Sequence, residues 1–311
     1  MAVAVLSASA AQATAESIVV SAQPVPLSVD ESATPSTGAL RYRGGLVLRS
    51  EHRFGGLSGL RVSDDGGRLE AVSDEGQWFT ARLLYDDGRL AGLTDAEIGP
   101  LRDPDGKSLA EKTWQDAESL TVLPDGSRLV GFEHHHRILR YSQGLAATPE
   151  LVPTPPELEK APLNESLESL ATLRGGGFLA LTEDFKEDGM VRGWLVREGR
   201  WSKFLYRLDG DPRPSDATTL PNGDLLVLER SFSPLRGLLL RLRRVAEKCL
   251  VADAKLTPKT IAELRLPLTI DNFEGVSARR NEKGETIIYL ISDDNFSPLQ
   301  RTLLMMYALE D

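Results

Sequence analysis

The chain has a single cysteine, Cys249, so no disulfide can form within it. Cysteine usage therefore neither supports nor excludes an oxidising compartment. The sequence also lacks the Gly-x-Ser-x-Gly elbow, the Gly-x-x-x-x-Gly-Lys-[Ser/Thr] phosphate loop, His-Glu-x-x-His and paired Cys-x-x-Cys motifs. These absences disfavour serine-esterase and zinc-protease chemistry.

Positive charge is scarce, with a formal net charge of −10 and a pI near 5.1. Affinity for nucleic acid depends on lysine and arginine displacing counterions from phosphates, so a nucleic-acid partner is not expected. The 41% share of hydrophobic residues is enough to bury a sizeable core. We expect a monomer that binds a small anionic substrate or ligand.

No hydrophobic run is long enough to span a membrane as a helix. The apolar start, Ala2 to Ala15, contains Ala11-Gln12-Ala13, which has the small-x-small form read by signal peptidases. Because a charged n-region is missing, a disordered Ala-rich start is the alternative. We expect residues 1–20 to be such a start, residues 21–38 to be a linker, residues 39–311 to be one domain, and the protein to be periplasmic or secreted.

A sustained helical period is also missing, and a repeated hairpin stands in its place. Residues 116–133 read as an acid, a short strand, a Pro-Asp-Gly turn, a second strand and another acid. The pattern recurs at intervals of 48 to 60 residues, a length typical of four-stranded propeller blades with loop insertions. The repeat anchors are Ser58, Glu118, Glu168, Asp216 and Glu274.

The sequence predicts an all-β fold, a five-bladed β-propeller. The last repeat supplies only three strands, and an orphan strand from Leu40 to Leu48 can complete its blade. Such pairing would close the ring and remove both open edges, which otherwise promote aggregation. Six blades remain the alternative, if the first interval hides extra strands.

The innermost strands of a propeller line its channel, so the five anchors should converge there. Four carboxylates and a hydroxyl around one axis repel, unless several are protonated or a cation lies among them. Oxygen-only ligands in a wide ring suit Ca²⁺. The alternative is that each acid merely caps a strand entrance by binding backbone amides.

A second ring is expected where the second strands end, on the same face of the propeller. Its members are Asp74, Glu133, Glu183, Glu229 and Asp293. Three of the four histidines, including His134, follow directly after Glu133. We regard Glu133, Glu183 and His134 as candidate catalytic residues, with a solvated loop as the alternative for the histidines. Candidate substrate-binding residues are Lys107, Lys112, Arg213, Glu229, Arg230 and Asp293.

These repeats resemble the bacterial phytase-like family named for "esterase-like activity of phytase". The resemblance covers roughly Leu40 to Leu309 and rests on four segments, residues 54–60, 116–120, 164–170 and 272–276, each followed by a strand ending in an acid. The chain is more distantly similar to five-bladed calcium-dependent apyrases, in which Glu and Ser at innermost-strand starts surround a Ca²⁺. Ser58, Glu118, Glu168 and Glu274 match that pattern, whereas Asp216 stands where a serine would be expected.

The resemblance implies an exported hydrolase of a phosphoester or related ester, assisted by Ca²⁺ in the central funnel. The alternative is a non-catalytic propeller that binds a small ligand or an envelope partner and holds Ca²⁺ for structural reasons. Fold alone does not decide between them.

Overall fold

The protein is described by a computed structural model that covers residues 15–30, 32, 36–109 and 111–310. Of the expected signal-peptide-like or disordered start, residues 1–20, residues 1–14 lie outside the described residues. Helix is confined to α1 (Lys112–Gln115) and two 3₁₀ turns, Pro156–Lys160 and Glu247–Cys249. No helix in these ranges is long and apolar enough to cross a membrane.

The described chain otherwise forms short β-strands. In chain order they are β1 (Glu16–Ser17), β2 (Val20–Pro24), β3 (Leu40–Ser50), β4 (Leu57–Val62), β5 (Arg68–Ser73), β6 (Gln77–Asp86), β7 (Arg89–Pro100), β8 (Ala117–Val122), β9 (Arg128–Phe132), β10 (Arg137–Tyr141), β11 (Glu150–Val152), β12 (Ser169–Thr172), β13 (Phe178–Glu187), β14 (Met190–Arg197), β15 (Arg200–Tyr206), β16 (Arg213–Thr219), β17 (Leu225–Ser233), β18 (Gly237–Val245), β19 (Lys255–Leu256), β20 (Lys259–Leu264), β21 (Phe273–Arg280), β22 (Thr286–Ser292) and β23 (Thr302–Leu309).

Five small sheets make a ring, which confirms the five-bladed propeller. From the axis outward, the blades are β4-β5-β6-β7-β1, β8-β9-β10-β11, β12-β13-β14-β15-β19, β16-β17-β18-β20 and β21-β22-β23-β3-β2. The strand pairs within each blade are antiparallel, apart from the parallel contact of β15 with β19. Turn residues such as Pro124-Asp125-Gly126 separate the strands, as the sequence predicts.

The ring is closed by the N-terminal strand, also as predicted. β3 pairs antiparallel with β23, from Thr302 opposite Leu48 to Leu309 opposite Leu40. Leu46 and Leu48 are buried in a hydrophobic cluster shared by the last blade and the first. Closure therefore buries apolar side chains and pairs the edge of β23, and both effects stabilise the ring.

The end of the expected disordered start, from residue 15 to residue 20, and the beginning of the expected linker are partly strand. β2 pairs with β3 from Val20 opposite Ser50 to Pro24 opposite Leu46, and β1 pairs with β7. Ile18, between them, packs into the hydrophobic cluster. The edge of β3 has unpaired backbone groups, and β2 pairs with them. The Pro and Ser content of this segment gives no sustained strand period, so the sequence does not predict the strand.

Candidate active site

The innermost strands of blades two, four and five begin with a bulge, and equivalent residues stand at the start of the innermost strands of blades one and three. In blade two Ala117 pairs with Phe132 and Ser119 with Gly131, so Glu118 is bulged between them. Glu274 occupies the same place between Phe273 and Gly275. A bulge adds one unpaired residue and re-aims its side chain. The residues at this position are Ser58, Glu118, Glu168, Ser215 and Glu274, here called the inner ring.

Blade four corrects the sequence alignment by one residue, because Ser215 and not Asp216 is bulged. Pro214 pairs with Glu229 and Asp216 with Leu228. Asp216 thus corresponds to Gly59 and Gly275 of the neighbouring repeats. A Cβ on Gly59 would lie 2.6 Å from the amide of Leu120 in the next blade, and one on Gly275 would lie 2.9 Å from that of Leu60.

The carboxylate of Asp216 occupies the equivalent place, against the backbone of the next blade, which is blade five. Oδ2 accepts a 2.8 Å hydrogen bond from the amide of Val276, and Oδ1 accepts one of 2.7 Å from the amide of Ala217. The side chain is fully buried, and burial raises its pKa to about 7 although Arg61 lies 3.8 Å away. The contacts of Asp216 are therefore those expected from the strand-capping alternative, and they are not those of a ligand in the channel.

In blade four, the residue that belongs to the second ring also differs by one position from the one that the sequence predicts. Glu229 pairs with the residue before the bulge, so Arg230 takes the place that Glu133 and Glu183 hold in their blades. Glu229 is instead buried between blades, where it accepts a 2.8 Å hydrogen bond from Tyr206 and lies 3.2 Å from Arg243. A substrate-binding role for Glu229 is inconsistent with that burial. The outer ring is Asp74, Glu133, Glu183, Arg230 and Asp293.

The two rings form an acidic funnel whose carboxyl groups are hard to ionise together. Burial raises the pKa of Glu133 and of Asp293 to about 8, and that of Glu183 to about 7. Burial and then the neighbouring carboxylates raise the pKa of Glu118 and Glu168 well above the ordinary range. Near neutral pH the funnel thus holds protons on groups that would be ionised in water.

Two sets of contacts organise the funnel. The amide of Ser166 donates a hydrogen bond to Glu133, whose carboxyl group is close enough to that of Glu168 to add to the effect of burial in raising the pKa of Glu168. Opposite charges meet where Arg230 Nη2 lies 2.9 Å from Glu274 Oε1. The funnel therefore combines neighbouring carboxyl groups that are hard to ionise with a cation.

Arg61 closes the channel below the inner ring, a feature that the sequence reading missed. Its guanidinium donates to the carbonyl oxygens of Val276 at 2.8 Å, Leu170 at 2.5 Å and Ala217 at 3.1 Å. These carbonyls belong to the innermost strands of blades five, three and four. Arg61 thus connects its own blade to three others at the axis. It lies three residues after Ser58 on β4, and no sequence motif marks it.

The histidines take separate partners and do not converge. Nδ1 of His134 lies 2.8 Å from Asp116 Oδ2 at the funnel rim. His135 stacks on Trp114, and His136 Nε2 lies 3.2 Å from the carbonyl of Ala161. Only His134 is therefore placed beside the funnel.

The other predicted cations lie outside the funnel. Arg213 is ion-paired at 2.7 Å with Asp184 and donates to the Asp211 carbonyl. Lys107 lines a side pocket beyond the rim, and Lys112 is exposed on α1. Asp293 does lie in the outer ring, where it accepts a 2.6 Å hydrogen bond from the amide of Asn295.

The donor chemistry of the inner ring fits a hard cation, whereas the side-chain placement is not that of a formed site. Among residues 15–30, 32, 36–109 and 111–310, no three carboxylate or imidazole groups converge as ligands would. Glu274 is held by Arg230 and by Asn272 Nδ2 at 2.9 Å. A cation would therefore require Glu274 to turn from these partners.

The family model "Phytase-like: Esterase-like activity of phytase" matches residues 52–296. No curated protein matches the sequence. Among solved structures, the chain is similar to an α-L-arabinofuranosidase from Podospora anserina in complex with cellotriose, with 12% identity and a TM-score of 0.53 over 89% of this chain and 98% of that one.

Two further solved structures have lower TM-scores. A gluconolactonase from Xanthomonas campestris has 11% identity and a TM-score of 0.45 over 92% of this chain and 100% of that one. A virginiamycin B lyase from Staphylococcus aureus has 13% identity and a TM-score of 0.41 over 86% and 88%. At these identities the similarities concern the fold alone.

Proposed function

Because the chain belongs to the phytase-like family of esterase-like propellers, we propose that its acidic funnel hydrolyses an ester, with a phosphoester as the preferred substrate. The observation that carries the proposal is the pair of outer-ring carboxyl groups Glu133 and Glu183, which have raised pKa values and of which Glu183 lies close to the cation Arg230. Perturbed carboxyl groups in a cleft are what acid–base catalysis needs near neutral pH. The proposed setting is outside the cytoplasm, with the protein acting as a monomer.

In the proposed reaction the pair divides two tasks. The ionised member of the pair Glu133–Glu183 accepts a proton from the attacking water, and the protonated member supplies one to the leaving alkoxide. The pKa of Glu133 is raised to about 8 and that of Glu183 to about 7, and His134 lies near them at the rim. Two groups with different protonation states at one pH are the usual basis of such a division.

Arg230 is placed to bind the negative oxygen that develops during attack. Its guanidinium interacts electrostatically with the carboxylates of Glu274, Glu168, Glu183 and Asp293. A guanidinium that is planar and fixed by such neighbours suits an oxyanion or a phosphate. The role that the sequence reading gave to Lys107, Lys112 and Arg213 thus passes to Arg230 in this proposal.

A doubly charged phosphate needs more than one cation in so acidic a funnel, so we include Ca²⁺ in the proposal. Ser58, Glu118, Glu168 and Glu274 would hold it, with Ser215 completing the ring. When bound, Ca²⁺ would polarise a substrate oxygen and offset the charge of the carboxylates. Its support is the crowding of carboxyl groups, which require either protons or a cation.

The test is turnover of a panel of aryl phosphates, nucleotides, phytate and aryl carboxylic esters, with Ca²⁺ and with chelator. We expect Ca²⁺-dependent phosphoester hydrolysis that Glu133→Gln lowers by about 10²-fold or more, the usual contribution of a general base. Arg230→Met should lower kcat/KM similarly, because it removes an oxyanion partner. Leu235→Ala, at a side chain 91% exposed on blade four, is the matched control.

Silence across the whole panel, from protein that melts cooperatively, would contradict catalysis and favour the binding module. Hydrolysis of carboxylic esters alone, unaffected by chelator, would retain the catalytic funnel but reject both Ca²⁺ and the phosphoester.

A further inference from the structure

A pocket of about 820 Å³ opens beside the funnel on blade two, between the segment that carries α1, the histidine loop and the edge strand β11. It is continuous with the funnel rim through His134, which lines the pocket and whose Nδ1 lies 2.8 Å from Asp116. Asp116 immediately precedes β8, and its charge acts on Glu118 and Glu133. The side pocket and the funnel therefore meet at the His134–Asp116 contact.

The pocket presents an aromatic stack. The rings of Trp114 and His135 lie 3.8 Å apart between centroids with an interplanar angle of 16°, and Trp114 is 41% exposed. Leu151, 60% exposed on β11, adds apolar surface to the same pocket. Large apolar side chains held open to solvent beside a cleft are a common mark of a ligand surface.

The stack is held in place from below by Arg137. Its Nη1 donates to the carbonyl of His135 at 2.9 Å, and its Nη2 donates to the carbonyl of Trp114. The guanidinium is buried and lies 4.1 Å over the ring of Phe132. One buried side chain thus fixes both backbone segments, so little ordering remains to be done when a ring binds.

We propose that this side pocket binds the planar, uncharged ring of the substrate's alcohol group, while the ester itself lies in the funnel. The charged side chains lining the pocket include Lys107 and Arg137 but also Asp103, Glu111 and Glu159, so the lining does not favour an anion. The substrate class that results is an ester of an aromatic alcohol. That the bound ring belongs to a substrate rests on the proposed function, whereas ring binding by itself does not.

The binding experiment compares phenol with cyclohexanol by saturation-transfer NMR titration. The wild type should bind phenol up to about tenfold more tightly, which is what an aromatic contact contributes. Trp114→Leu should remove the preference while keeping apolar volume, and Trp114→Phe should retain part of it. Equal affinities for the two rings, or a preference that survives Trp114→Leu, would overturn the proposal.

The kinetic experiment compares phenyl phosphate with cyclohexyl phosphate. Trp114→Leu should raise KM for the phenyl ester by about tenfold and leave kcat and the cyclohexyl ester nearly unchanged, whereas Leu235→Ala should change neither. Glu133→Gln should lose turnover yet still bind phenol. If no ester is hydrolysed, the proposed function fails and the binding experiment alone decides the side pocket; a fall in kcat with unchanged KM would contradict it.

Discussion

Asp216 offers the sharpest test of the register found in blade four. Asp216→Ala would leave the buried amides of Ala217 and Val276 without an acceptor and Arg61 without its carboxylate neighbour. Each orphaned donor costs about 1–3 kcal/mol, and removing one partner of a buried pair costs about 3–5 kcal/mol in total. We therefore expect a loss of about 3–5 kcal/mol in the free energy of unfolding.

The assay is urea unfolding and thermal melting of the wild type, Asp216→Ala and Ser215→Ala. At about 2 cal/mol/K of unfolding entropy per residue, the Asp216 variant should melt roughly 5–8 °C lower. Ser215→Ala removes one hydroxyl, whose long contacts are to the carbonyls of Phe273 at 3.3 Å and Leu228 at 3.5 Å, so it should cost less than about 1.5 kcal/mol.

The Ca²⁺ response separates the two positions further. Asp216→Ala should keep whatever stabilisation Ca²⁺ gives the wild type, because its carboxylate faces the next blade. An Asp216 variant that melts like the wild type but loses the response would refute the register argument and return Asp216 to the inner ring.

Two further predictions follow from the same structure. Without Ca²⁺, stability should fall as pH rises from about 4 to 8, because Glu133 and Asp293, with pKa values near 8, keep their protons in that range only in the folded state. Their folded pKa values lie above the unfolded ones, so the native state binds more protons across that range; stability that is flat or rises there, measured by urea titration at each pH, would contradict the funnel's protonation. Deleting residues 1–36 should lower the melting temperature clearly, because it removes two edge strands and the buried Ile18, whereas deleting 1–50 should abolish cooperative unfolding by opening the ring. Equal melting of the first truncation and the full chain would show that the added strands contribute nothing.

The sequence by itself determined the blades and their closure. Turn residues between short apolar runs recur along the chain, and such local signals fix hairpins without reference to distant residues. The count of strands left Leu40 to Leu48 as the only partner for the last blade, and β3 pairs there. The sequence also located the acidic funnel, since repeats place equivalent residues on one axis.

Only the tertiary structure decided which side chain of an adjacent pair faces that axis. Side chains alternate along a strand, so a shift of one residue exchanges Asp216 for Ser215 and Glu229 for Arg230. A bulge of this kind depends on pairing across the blade and leaves no local mark. The sequence could not show that Arg61 joins three blades, or that Arg137 fixes the Trp114–His135 stack, because these contacts join backbone carbonyls, which every residue carries.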